Sequence, residues 1–166
     1  MILTKEEILK EIKKGKIKVE PFKKDSVGPA SVDLTLDNKL RVFTSRNILV
    51  KEYVDYKKVT KEIDISKGYN LKPGELVLGI TKEKISLPEN ICGWLNSRSR
   101  FARIGLMSHI TAPFICPGVS NRQVLEIYNA GPMTIKLIPG TKICQLVFQE
   151  CRGKAKYSGI FKDQRL

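Results

Sequence analysis

The chain is poor in the residues from which most metal and nucleophile sites are built. It has one histidine, His109, and one tryptophan, Trp94, in 166 residues. Its four cysteines, at 92, 116, 144 and 151, never fall into the C-x-x-C spacing of zinc-binding modules. A zinc deaminase needs an H-x-E run and a P-C-x-x-C run to hold its metal, and neither occurs. Any deamination by this chain is therefore expected to proceed without zinc. Aromatic residues make up 7% of the sequence. Most of them sit in apolar segments rather than among lysines and arginines, which argues against a stacking platform for nucleic acid. No apolar run approaches the ~20 residues of a membrane span. Met1-Ile2-Leu3 gives way at once to charged residues, so no signal peptide is expected. These absences imply a cytoplasmic protein, away from membranes, with free thiols.

Basic residues are abundant instead. Lys and Arg number 30 against 17 Asp and Glu, a formal net charge of +13. Such a surplus fits a lysine-rich solvated surface and also a surface that attracts nucleotides or other polyanions. The length suits one domain, residues 1–166, with room for a substantial core.

The pattern predicts mainly β structure. Residues 4–14 read as a helix, with Thr4 and Glu7 as a capping box, Ile8, Leu9 and Ile12 on one face, and Gly15 as the stop. Strands are expected at 31–36, where polar and apolar residues alternate, and at 40–43, 63–65, 76–80, 123–129, 133–138 and 142–150. Ile110, Ala112 and Phe114 are expected to lie on one strand face, and 101–106 to form a short helix. Turn signals at Gly28-Pro29, Pro73-Gly74, Pro117-Gly118 and Pro139-Gly140 separate these pieces. Short strands at this spacing point to a distorted β-barrel or jelly roll, decorated by one N-terminal and one internal helix. Residues 151–166 are polar and read as a mobile tail.

Residues 93–130 concentrate the chemistry. Arg98, Arg100 and Arg103 stand among Ser97, Ser99 and Gly105, and guanidinium forks suit phosphates. Glu126 follows in an apolar strand, where a carboxylate is costly unless paired or at work. The alternative reading is a structural glutamate paired with an arginine. Ser99 equally suits a helix N-cap. His109 equally suits a wall residue.

Taken together, these motifs resemble the dCTP deaminase family, related to the trimeric dUTPases. The resemblance rests on Arg98-Ser99-Arg100-Phe101-Ala102-Arg103-Ile104-Gly105-Leu106, His109-Ile110-Thr111-Ala112, Leu125-Glu126-Ile127-Tyr128-Asn129 and Pro139-Gly140-Thr141-Lys142-Ile143-Cys144-Gln145, in family order. It implies a dUTPase-like barrel and a homotrimer with active sites between subunits. It implies conversion of dCTP to dUTP and ammonia. In that reading Glu126, Ser99 and Arg103 are catalytic, and the backbone of Thr111 and Ala112 holds the attacking water. Arg98, Arg100, His109, Val124, Gln145, Tyr157 and Gln164 contact substrate. Magnesium travels on the triphosphate, and the tail closes over the nucleotide.

The sequence departs from the family pattern in places. Cys116 replaces the aspartate that holds the sugar 3′-hydroxyl, Asn121 replaces a turn glycine, and Arg100 replaces the second serine. In the tail, Ile160 and Phe161 replace the usual lysine and tyrosine. A dUTP diphosphatase, a bifunctional enzyme giving dUMP and pyrophosphate, and a non-catalytic nucleotide binder remain alternatives.

Overall fold

A computed structural model describes every residue of the chain except Arg46 and Tyr53. Helix α1 (Lys5–Lys13) opens it, followed by β1 (Lys18–Glu20), β2 (Val32–Phe43), β3 (Thr60–Asp64), β4 (Tyr69–Leu71), β5 (Leu76–Ser86) and β6 (Ile91–Ser97). A one-turn helix α2 (Ser99–Ala102) then leads to β7 (Leu106–Met107), β8 (Phe114–Ile115), β9 (Ser120–Asn129), β10 (Ile135–Leu137) and β11 (Lys142–Glu150).

Nine strands form one antiparallel sheet in the order β7-β9-β5-β2-β11-β6-β8, with β1 added to β5 and β3 to β2. β4 and β10 form a separate pair. The expected mainly-β architecture is therefore present, as a curled half-barrel. Register shifts between Leu36 and Leu40, between Ile80 and Lys84, and between Lys142 and Cys144 mark where the ladders break. Such bulges bend strands and sharpen their twist, which lets a long sheet curl.

Period-two alternation explains the core. Val32, Leu34 and Leu36 of β2, Leu125 and Ile127 of β9, and Leu146 and Phe148 of β11 all turn inward and are essentially fully buried. Ile8 of α1 packs into the same cluster. Burying side chains of this size contributes about 1.5–3 kcal/mol each.

Several expectations need correction. The separate strands at 31–36 and 40–43 are one bulged strand, β2, because the register shift lets a single strand pass through both apolar runs. Strand β4, just before the Pro73-Gly74 turn, was not expected; it pairs with β10. Residues 110–112 are not a strand; pairing begins at Phe114. The internal helix starts earlier, at Ser99, and covers one turn. Thr4 occupies the cap position of α1, but its side chain makes no capping bond. Lys5 N–H donates to Pro29 O at 2.7 Å, and Glu7 pairs with Lys10 at 3.1 Å instead of folding back. Acidic residues in the first turn and basic ones in the last still suit the helix dipole. Gly15 ends the helix as expected, at φ +71°.

One surface contact has a pH signature. The Tyr69 hydroxyl donates to Glu75 Oε1 across the turn that enters β5. Burial, and then this carboxylate, push the phenol up to about 12. The folded value lies above the ordinary value of about 10. The contribution is therefore complete below pH ~10 and is lost as pH rises toward 12. Tyr69→Phe is expected to flatten that alkaline loss of stability. Urea melts of both proteins across this window check it, and an unchanged alkaline slope in the variant would refute it.

Candidate active site

The site is built on β9. Its side chains alternate, so Leu125 and Ile127 enter the core while Val124, Glu126 and Tyr128 lie on the opposite, half-exposed face. Sequence neighbours therefore do not enclose the Glu126 carboxylate, as the apolar run had suggested. The period of two sends them to the other side of the sheet.

Glu126 is held by the loop after β7. Thr111 donates to Glu126 Oε2 twice, from its N–H at 2.7 Å and from its hydroxyl at 2.8 Å. Among the described residues no hydrogen bond ends on Oε1. Nor, among them, does any ion pair hold the carboxylate, so the arginine-paired structural reading has no support. The Thr111 N–H is thus engaged by the carboxylate.

The carboxylate faces a cavity of about 530 Å³. That size falls within the usual range for small-molecule sites. Phe43, Leu76, Leu78, Phe114 and Val124 make much of its wall apolar, while His109, Thr111, Gln123 and Glu126 bring polar groups to it. Ala112 also lines it. The Glu126 N–H donates to His109 Nδ1 at 3.4 Å. The neutral imidazole then carries its proton on Nε2. That atom is buried and, among the described residues, has no hydrogen-bond partner.

The tail forms the remaining wall. Tyr157, Phe161 and Gln164 line the cavity. Tyr157 N–H donates to Pro117 O at 3.0 Å, and Gln164 Nε2 to the Arg122 carbonyl at 2.8 Å. The Tyr56 hydroxyl donates to Arg165 O at 2.8 Å. Leu166 is buried against Leu78 and Ile80. Residues 151–166 thus lie along the sheet rather than away from it.

Asn121 explains part of this seat. Its Nδ2 donates to the carbonyls of Phe161 at 2.9 Å and Lys162 at 3.3 Å, and its Oδ1 accepts from Gln123 at 2.6 Å. The position belongs to β9, and no non-glycine residue has positive φ among the described residues. The turn-glycine expectation at this position fails because the backbone here is extended. An amide in place of a glycine clamps the tail. Sequence reasoning also missed Gln123, Phe43 and Tyr56, which come from three separate strands and turns with no shared motif.

The arginine–serine segment lies elsewhere. Ser99, Arg100 and Arg103 are exposed on and just after α2, and none lines the cavity. Arg98 holds the cap position, so Ser99 is the first helical residue and not the N-cap. Arg98 itself pairs with Asp33 at 3.1 Å and donates to Lys142 O at 2.8 Å. Gln145 sits opposite Asp33 and Asn96 in the sheet and accepts from Ser31 Oγ at 3.3 Å. Gly105 lets this segment dock on the turn after β9. It has φ +81°, and a Cβ there would stand 2.4 Å from Gly131 N. Within one chain the expected site residues therefore fall into two groups: Glu126, His109, Thr111, Ala112, Val124, Tyr157 and Gln164 around the cavity, and Arg98, Ser99, Arg100, Arg103 and Gln145 outside it. Among the described residues no cluster of three His, Cys, Asp or Glu side chains is placed to hold a metal ion.

Known proteins share both the fold and the sequence pattern. A dCTP deaminase of Marinomonas sp. is 41% identical, over 93% of this chain and 86% of that one. A dCTP deaminase, dUMP-forming, of Leifsonia xyli subsp. xyli is 35% identical, over 99% and 87%. The crystal structure of 2′-deoxycytidine 5′-triphosphate deaminase from Agrobacterium tumefaciens superposes with a TM-score of 0.71 at 24% identity. That match covers 89% of this chain but only 47% of the longer Agrobacterium chain, and it bears on the fold. Residues 2–151 match the dCTP deaminase-like family itself, and with relatives this similar over nearly its whole length, the chain belongs to that family.

Proposed function

We propose that the chain hydrolyses dCTP to dUTP and ammonia, with Glu126 as the proton carrier. The observation that carries this reading is the anchoring of Glu126 through Oε2 alone, at the wall of a largely apolar cavity. Oε1 is left to take a proton from water. Water attacks C4 of the cytosine while Glu126 accepts its first proton and passes it to ring N3; Glu126 then takes the proton of the new C4 hydroxyl and delivers it to the amine, which leaves as ammonia as the C4 carbonyl forms. His109 Nε2–H is a ready donor to an acceptor on the base or sugar. Val124 and Ala112 pack against the nucleotide, and Tyr157 and Gln164 close over it.

The second group completes the site from a neighbouring subunit of a homotrimer. Ser99 and Arg103 stabilise the attacking water and the developing charge. Arg98, Arg100 and Gln145 face the phosphates, and magnesium, borne on the triphosphate oxygens, neutralises part of their charge. The separation of the two groups within one chain supports this arrangement. A cytoplasmic location accords with a soluble nucleotide substrate.

A dUMP-forming variant is the second reading. It is favoured by the Leifsonia relative of that name, which matches 99% of this chain. Product analysis separates the two. Incubation with dCTP and magnesium is expected to give dUTP and ammonia in equal amounts. Appearance of dUMP and pyrophosphate in step with ammonia would replace the first reading with the second. Absence of ammonia from a protein that binds dCTP would overturn both.

A further inference from the structure

Three of the four thiols converge on one corner of the sheet, and the proposed reaction uses none of them. Cys144 is apart from these, sealed in the core, where burial pushes its thiol up. On β6, Cys92 stands opposite Gln149 of β11. Two residues further on, Cys151 donates its N–H to Asn90 O at 2.9 Å, continuing the same pairing past the end of β11. Alternate residues share a face of a sheet, so Cys92, Gln149 and Cys151 point the same way. The Cys92 thiol lies 3.5 Å from Gln149 O and within hydrogen-bonding reach of Cys151. Burial first, and then that thiol contact, push Cys92 up to about 11. On the other side of β6, Gly93 pairs with Ile115, which places Cys116 one step beyond, beside Cys92.

We propose that Cys92 and Cys151 are a modification site, closed to an intrachain disulfide by low-molecular-weight disulfides such as oxidised glutathione. Cys151 is half-buried and Cys92 is 4% exposed. Cys151 therefore reacts first. Its sulfur, after giving a proton to solvent, attacks the glutathione disulfide and releases one glutathione thiolate. Cys92 then loses its proton, attacks the Cys151 sulfur of the mixed disulfide and releases the second thiolate. Both thiolates take up the two protons, so two cysteines are oxidised and one glutathione disulfide is reduced to two glutathione molecules. The second step needs the Cys92 thiolate, so closure speeds up with rising pH. The new bond staples the root of the tail to β6. It leaves Cys116 free at the cavity wall.

The test uses the full chain incubated with oxidised glutathione, then alkylated and mapped without reduction. A peptide linking Cys92 to Cys151 is expected, with an intact mass lower by two hydrogens. The loop it closes is long, so the melting temperature should rise by roughly 5–10 °C and return on reduction. Cys151→Ser should abolish both the link and the rise, whereas Cys116→Ser should retain them. A lasting mixed disulfide on Cys151 with Cys92 still alkylated would overturn the proposal. So would a link from Cys92 to Cys116.

Discussion

Glu126→Gln is expected to lower kcat for dCTP deamination by about 10²–10⁴-fold and to leave KM within about threefold. The substitution keeps the shape of the side chain and an oxygen that accepts from Thr111. It removes the ability to take a proton from water. If Glu126 acts only as a proton carrier, ground-state binding has little reason to change, and the loss falls on kcat. Stability should stay within about 0.5 kcal/mol, because the position is half-buried and no ion pair is broken. Steady-state kinetics with a sensitive ammonia assay, beside a thermal melt, check the result. A variant that keeps a tenth or more of the wild-type kcat would remove Glu126 from the chemistry. A variant that loses activity through a raised KM alone would make it a binding group.

How much of this was legible in the sequence depends on the range of the interaction. Gly15, Pro73-Gly74 and Pro139-Gly140 act locally, and their turns fell where expected. The alternation along β9 and β11 also reads directly. Period-two alternation likewise decides which face Glu126 occupies, yet its flanking Leu125 and Ile127 invite the opposite reading when taken as neighbours. The Thr4 capping box does not form: Glu7 pairs with Lys10, and the first-turn N–H of Lys5 is taken by the carbonyl of Pro29, distant in sequence. The candidate residues, and a site shared between subunits, came from motif resemblance; which of them line one cavity within a single chain came from the structure. Nothing in a linear sequence says that Arg103 and Glu126 of one chain stay apart. Asn121 is the clearest case. As a departure from a family glycine it looked like a loss, and its two bonds to tail carbonyls become visible only when residues 40 positions apart meet.

Removal of residues 157–166 is expected to lower kcat/KM for dCTP by about 10²-fold or more while leaving the sheet folded. The tail contributes Tyr157, Phe161 and Gln164 to the cavity wall, and Leu166 covers Leu78 and Ile80. Without it the cavity opens to water on that side. Exclusion of water strengthens the electrostatics of a site and fixes the geometry of attack. The strands lose no ladder partner, since β11 ends at Glu150 before the deleted stretch begins. Far-ultraviolet circular dichroism should therefore be retained. Asn121→Ala provides the graded form of the same test. It removes two side-chain bonds to the tail, each worth about 0.5–1.5 kcal/mol. If the closed seat is only modestly favoured, that loss lowers its population and raises the apparent KM by roughly five- to tenfold, because binding then includes the closing of the tail. The two variants must agree in direction. A truncated enzyme that keeps kcat/KM within about threefold would show that the cavity works open, and the clamp at Asn121 would then be a packing contact with no part in turnover.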